Sequence, residues 1–197
     1  MKRSFSFYIK PFLTTTAFVM LICYFVKRPS DGKEWCACLE TTVFFMIIIS
    51  YVYSQWFWRY CPWESIPRFA KKYKGEIHYK YESGGTKEAE IFIQQTLFST
   101  RIKIKTDEIT SDSITSDLIA EHGSWFLYYT YITNPQAKYS KVNPIQRGTA
   151  RLEIEKPEYN LKTWFVKYKK TIDHLAGIYW TTSGTTGDIS LRKEAQQ

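Results

Sequence analysis

Cysteine is absent after Cys61, and the four that exist, Cys23, Cys36, Cys38 and Cys61, fall in the first third of the 197 residues. Cys23 lies inside an apolar run, Cys36 and Cys38 stand too close for an ordinary disulfide, and no second pair or nearby histidine completes a zinc site. This spacing excludes a disulfide scaffold and a zinc domain, and a cytoplasmic soluble part would tolerate it. Histidine is scarce too: His78, His122 and His174 lie in separate segments without metal-spaced partners. Asp173-His174 resembles a base with its orienter, but no nucleophile elbow accompanies it and the serines and threonines cluster in turns. Catalysis is therefore not expected. The chain also lacks internal repeats, low-complexity tracts and a coiled-coil period.

Acidic residues are few in residues 1–60, three against seven Lys and Arg, and that segment holds two long uncharged runs. Pro11 to Val26 is sixteen residues long and Thr41 to Trp58 eighteen. The second meets the length of the hydrocarbon core, and the first reaches it if Lys10, Lys27 and Arg28 snorkel to the interfaces. No small-x-small cleavage site follows the first run, which argues against a signal peptide. Two spans joined by a loop over Lys27–Glu40 are expected. Lys2, Arg3 and Lys10 before them and Arg59, Arg68, Lys71, Lys72 and Lys74 after them place both termini in the cytoplasm by the positive-inside rule. Tyr51, Tyr53, Trp56, Trp58, Tyr60 and Trp63 form an aromatic belt at the exit. Thr14, Thr15, Thr16, Ser50, Tyr51, Tyr53, Ser54 and Gln55 make the spans semi-polar, which suits either bonding between helices or plain decoration of an anchor.

The mean hydropathy of −0.34 averages these spans with a polar remainder. The net charge of +8 divides evenly between them: after residue 60, Lys and Arg outnumber Asp and Glu by 20 to 16. From Gly75 onward alternation with period two dominates. Ile77, Tyr79 and Tyr81 share a face; Ile102 and Ile104 alternate with lysines; Leu152 and Ile154 alternate with Arg151, Glu153 and Glu155. Further strands are expected over Glu88–Gln95, Trp125–Thr133 and Thr163–Tyr168. A hairpin of Ile178–Thr182 and Asp188–Leu191 turns through Ser183-Gly184-Thr185-Thr186-Gly187. That Gly-rich turn is no phosphate loop, since it has neither a following helix nor a lysine. Ile114–His122 carries a weak helical alternative, and Ser65–Tyr73 suits a short connecting helix. About eight short antiparallel strands in this length imply a sandwich or a small closed barrel whose interior holds side chains or one small ligand.

The expected organisation is a two-span transmembrane hairpin over residues 1–60, a basic connector over 61–74 and an all-β antiparallel domain, sandwich or barrel, over 75–197. Binding residues follow from alternation. Trp125, Tyr129 and Tyr131 share a strand face, and the hairpin adds Tyr179, Trp180, Thr181 and Thr182. Aromatic faces stack on nucleobases, worth about 1–3 kcal/mol per base, while hydroxyls and Arg147 or Arg151 suit phosphates. The candidates are Trp125, Tyr129 and Tyr179 as stackers, Thr181 and Thr182 as hydroxyl donors and Arg151 as phosphate partner. Arg151 points to solvent if Leu152 and Ile154 face the interior. Aromatic side chains in a barrel also serve as plain core.

The layout, with hairpin residues Gly177, Tyr179, Thr181, Thr185, Gly187 and Ile189, resembles the two-transmembrane β-barrel effectors of bacterial CBASS anti-phage systems. The resemblance implies that residues 75–197 form a cytoplasmic, lipocalin-like eight-stranded β-barrel that senses a cyclic dinucleotide made by a cyclase during infection. Ligand binding would favour a homo-oligomer whose spans breach the inner membrane bilayer and kill the cell. It implies no enzymatic step, no cofactor beyond the activating ligand and no DNA or RNA duplex as partner. The residues also leave open a tethered lipid or small-molecule carrier, a tethered enzyme and a scaffold with a filled barrel.

Overall fold

The computed structural model describes residues 6–61, 64, 66–80, 84–139, 144–154 and 171–194. The chain divides into two compact units, Lys2–Arg59 and Tyr60–Gln197.

The first unit is a pair of helices, α1 (Ser6–Lys27) and α2 (Gly32–Gln55), ending in a 3-10 turn at Phe57–Arg59. Among the described residues α2 alone is long and apolar enough to cross a membrane, and the apolar part of α1, Phe12–Lys27, is shorter. The expected loop over Lys27–Glu40 is mostly helix. The helix starts early because Asp31 caps it, accepting from the Glu34 amide at 2.8 Å, while the Glu34 carboxylate accepts from the Ser30 amide at 2.6 Å. The two helices meet through Tyr24 stacked on Trp35, with ring centroids 5.8 Å apart, and through Lys27 Nζ donating to Thr41 Oγ1 at 3.2 Å. Several span hydroxyls bond their own helix: Thr16 donates to Phe12 O, Thr42 to Cys38 O and Ser54 to Tyr51 O, each at 2.8 Å.

The second unit is a closed barrel of eight strands in sequence order, every neighbour antiparallel. The strands are β1 (Lys72–Lys80), β2 (Gly85–Gln95), β3 (Thr100–Lys105), β4 (Ile109–Glu121), β5 (Ser124–Pro135), β6 (Arg147–Ile154), β7 (His174–Thr181) and β8 (Thr186–Lys193). Closure leaves no strand edge unpaired, because β8 pairs back onto β1. Alternation sends Ile91, Ile93, Ile102, Ile104, Leu127, Leu152, Ile154, Leu175, Ile189 and Leu191 into one buried cluster. Each such side chain contributes roughly 1.5–3 kcal/mol by leaving water.

Three expectations change. The Ile114–His122 segment is strand, not helix, and supplies most of β4. A bulge between Ser113 and Thr115 leaves Ile114 unpaired and 57% exposed, so the inward parity switches from odd to even residues. That switch breaks the period-two signal and imitates a helical one. The expected connecting helix over Ser65–Tyr73 does not form either: residues 66–70 have no regular structure and Tyr73 belongs to β1, which starts at Lys72 and not at Gly75. The expected strand Thr163–Tyr168 lies outside the described residues, so the eighth strand is β4. His122 and Gly123 form the two-residue turn into β5, with φ of 47° and 82°, as the strand twist requires of a tight hairpin.

The connector closes one end of this barrel. Phe69 is buried, its amide donates to Gln95 Oε1 at 3.1 Å, and Gln95 Nε2 donates to Pro67 O at 2.8 Å. The Tyr73 hydroxyl accepts from the Ala70 amide and donates to Ile172 O, both at 2.9 Å. Burial pushes its pKa up to about 12 against the lowering effect of the Ala70 amide. The connector thus works as a plug stitched to β1, β2 and the start of the β7 segment.

Candidate ligand-binding site

The opposite end, where β1 runs to β2, β3 to β4, β5 to β6 and β7 to β8, holds a cavity of about 360 Å³. Its wall mixes isoleucines at 77, 104, 109 and 189 with Tyr79, Tyr131 and Tyr179, and its rim carries Thr106, Ser111, Thr133, Gln146, Thr181, Ser183, Thr185 and Lys87. A few polar groups converging on an apolar hollow at a barrel mouth are the usual make-up of a small-molecule site.

The tyrosines leave the lumen open because each lies over a glycine. Tyr79 pairs with Gly85 and Gly187, Tyr131 with Gly148, and Tyr179 with Gly187. A Cβ at Gly85 would strike the Tyr79 ring, at Gly148 the Tyr131 ring and at Gly187 the Tyr179 ring. The absent side chains let three rings lie along the wall instead of filling the bore. Burial, then the neighbouring Tyr79 and Asp188, pushes the Tyr179 hydroxyl up to about 12. Tyr131 is raised by burial and by Tyr179, and Tyr129 by burial and by Tyr131. All three are neutral hydroxyls at physiological pH, each able to donate and accept. The Tyr129 hydroxyl is buried without a hydrogen-bond partner among the described residues, and its ring lies 5.9 Å from that of Tyr131.

The rim is held by its own hydrogen bonds. Ser183 Oγ donates to Gln146 Oε1 at 2.7 Å, and Thr181 Oγ1 lies 2.8 Å from Ser183 Oγ. The Gln146 amide donates to Thr133 Oγ1 at 2.8 Å, tying the β5–β6 and β7–β8 turns to one wall. Lys87 Nζ meets Glu108 Oε2 at 2.6 Å and lies 5.3 Å from the centre of the Tyr79 ring.

Of the residues singled out from sequence, Tyr179 and Thr181 line this cavity. Tyr129 lies deeper on the same inward face. Trp125 also faces in, but it packs against the core near Ile154 at the closed end. Six residues of strand separate it from Tyr131, about 20 Å at the usual rise, so it does not join the other rings. Thr182 is exposed in the turn, its amide donating to Arg147 O at 2.9 Å. Arg151 stands on the outer wall because Leu152 and Ile154 take the inward parity. There its Nε donates to the Tyr128 hydroxyl at 2.8 Å, its guanidinium sits 3.9 Å from the Phe126 ring centre, and Glu121 is 3.9 Å away. Trp180 is likewise outward and 41% exposed.

Sequence reading overlooked Tyr79, Lys87, Thr106, Ser111, Thr133 and Gln146 as site residues. Lys87 was discoverable. Extending the Glu88–Gln95 strand back to Gly85 puts 87 on the parity of Ala89, Ile91 and Ile93.

Residues 64–193 match the family model described as "Cap15, cyclic dinucleotide receptor domain". The chain belongs to the Cap15 family. It is 38% identical over 165 residues to CD-NTase-associated protein 15 of Staphylococcus schleiferi, covering 81% of this chain and 80% of that protein. The matched stretch contains residues 66–70 of the plug and all eight strands. The resemblance to CBASS effectors drawn from the layout is the one these matches support.

Proposed function

We propose that the barrel takes a cyclic dinucleotide into its mouth cavity and that the chain acts as a membrane-held anti-phage effector. The observation that carries this reading is the cavity itself: three tyrosines and a ring of hydroxyls around one lysine, inside a domain of the cyclic dinucleotide receptor family. Tyrosine faces suit base stacking, the hydroxyls suit ribose and base edges, and the lysine suits a phosphate.

On this reading the chain is a sensor and not an enzyme, with the cyclic dinucleotide as activating ligand and a cyclase as its source. α1 and α2 form a two-span hairpin in the bacterial inner membrane with both termini cytoplasmic, as the basic residues flanking it favour. Ligand binding assembles chains, and the assembled hairpins breach the bilayer and kill the infected cell. A ligand drives such assembly only by binding the assembled state more tightly. A swing from 1:99 to 99:1 needs a preference of roughly 5.5 kcal/mol.

The test is a thermal titration of the full chain in lipid nanodiscs against cyclic di-AMP, cyclic di-GMP and cyclic GMP–AMP. A ligand held at 100 times its Kd stabilises the folded barrel by about 2.7 kcal/mol, a shift of several degrees. The isoleucine-lined part of the wall supports a second reading, a tethered lipid carrier. A shift with fatty acids and none with any cyclic dinucleotide establishes that alternative.

A further inference from the structure

Lys87 is the only charged side chain among the described residues that line the cavity. It faces inward on β2, on the parity of Gly85, Ala89 and Ile91. An inward ammonium loses water and needs compensation, which Glu108 and the Tyr79 ring supply. The two compensating groups differ in kind. Tyr79 belongs to β1, paired through the barrel wall, whereas Glu108 stands in the turn between β3 and β4. Its side chain is 26% exposed and that of Lys87 34%. A part-exposed ion pair contributes little net stability, so an incoming anion displaces this carboxylate at small cost.

We propose that Lys87 is the phosphate-reading residue of the cavity, and that Glu108 is a resting counter-ion which a bridging phosphodiester of the ligand replaces. The inference rests on the reading of the barrel as a cyclic dinucleotide receptor, and it deepens that reading by assigning one contact and its competitor. Volume gives it a location. A cavity of about 360 Å³ lies at the small end of ligand pockets. A cyclic dinucleotide carries two nucleosides on one phosphate-linked ring. One nucleoside enters between the tyrosines, and the phosphate ring stays at the mouth, level with Lys87. Lysine suits an exchange of partners, because its ammonium is a point charge on a flexible stem and keeps its place over Tyr79 while the anion changes. The hydroxyls of Thr181 and Ser183, on the hairpin that joins β7 and β8, are then available to the sugar.

The experiment measures Kd for the three cyclic dinucleotides with the full chain in lipid nanodiscs, at two salt concentrations, for the wild type, Lys87→Met, Lys87→Arg and Glu108→Gln. Lys87→Met is expected to weaken binding about ten-fold or more and to reduce its salt dependence, and Lys87→Arg to restore most of it. Glu108→Gln is expected to tighten binding a few-fold, because the competing carboxylate is gone. Melting temperatures without ligand check that each variant is folded, and Glu108→Gln carries the test if Lys87→Met is not. A wild type that binds while Glu108→Gln and the folded Lys87 variants bind equally well overturns this inference and leaves the receptor reading standing. A wild type that binds none of the three overturns both.

Discussion

At the residue scale the interior tyrosines carry the sharpest consequences. Tyr129 keeps a buried hydroxyl with no partner among the described residues, an arrangement that costs about 1–3 kcal/mol for a group of this kind. Tyr129→Phe is therefore expected to leave the unliganded chain as stable as the wild type or more so. A loss above about 1 kcal/mol by chemical denaturation would contradict the orphan assignment. The same burial sets a pH dependence. A phenol whose folded pKa is raised adds stability that is whole below its unfolded pKa near 10 and is lost as pH rises through the folded value. Tyr73 and Tyr179, both at about 12, place that loss between roughly pH 10 and 12. Melting temperature should fall across this window, and Tyr179→Phe should make the fall shallower. Residue identity alone showed that tyrosines were abundant; which hydroxyls are dry depends on neighbours from other strands.

At the element scale the glycines of the strands divide by what stands opposite them. A Cβ at Gly177 meets the backbone of Arg151 and Leu152, and one at Gly75 meets that of Ser190 and Leu191. Backbone within a paired strand has little freedom to retreat, so Gly177→Ala should unfold or severely destabilise the barrel. A Cβ at Gly148 meets first the end of the Tyr131 ring, which can swing, and then the Trp180 carbonyl oxygen at 2.8 Å, whereas at Gly177 the nearest atom is a backbone oxygen, closer still. Gly148→Ala is expected to lower the melting temperature less than Gly177→Ala does while pushing Tyr131 into the lumen, and so to weaken ligand binding more than stability. Equal damage by both, in denaturation and in binding, would refute the distinction. Strand existence was legible wherever alternation was clean, as in Ile102–Lys105 and Arg151–Ile154. It was not legible in β4, where the bulge at Ile114 moves every later side chain to the opposite parity. Nor was the plug legible, because Ile66–Ala70 has no period of its own and is held by Gln95 and Tyr73 from elsewhere in the chain.

At the scale of the whole molecule the proposal joins a ligand cavity in one unit to membrane damage by the other. Thr16, Thr42 and Ser54 satisfy their hydroxyls on their own helices in the single chain, and the same groups can exchange partners when chains associate. Replacing the apolar runs 12–26 and 43–55 with leucine should keep cyclic dinucleotide binding and membrane integration while abolishing killing in cells that also carry a cyclase. Viable counts after induction provide the measurement. Killing at the wild-type level would reduce the spans to an anchor and refute a sequence-specific role in breaching the bilayer.

The sequence by itself determined the division into an apolar N-terminal third and an all-β remainder, because hydrocarbon thickness and the two-residue strand period impose patterns local enough to read along the chain. It also pointed to Tyr179 and Thr181, which stand on a clean strand beside a Gly-rich turn. Tertiary structure alone decided that the sheet closes, which end the connector plugs, and which inward residues share a layer. Trp125 and Tyr131 share a strand face, yet closure assigns one to the core and the other to the cavity. Arg151 and Lys87 are the clearest pair. Both are cations on strands of alternating pattern, and parity turns the first outward onto Phe126 and Tyr128 and the second inward beside Tyr79. The physical reason is that a barrel's interior is set by register between strands far apart in the chain, and register is a property of pairs.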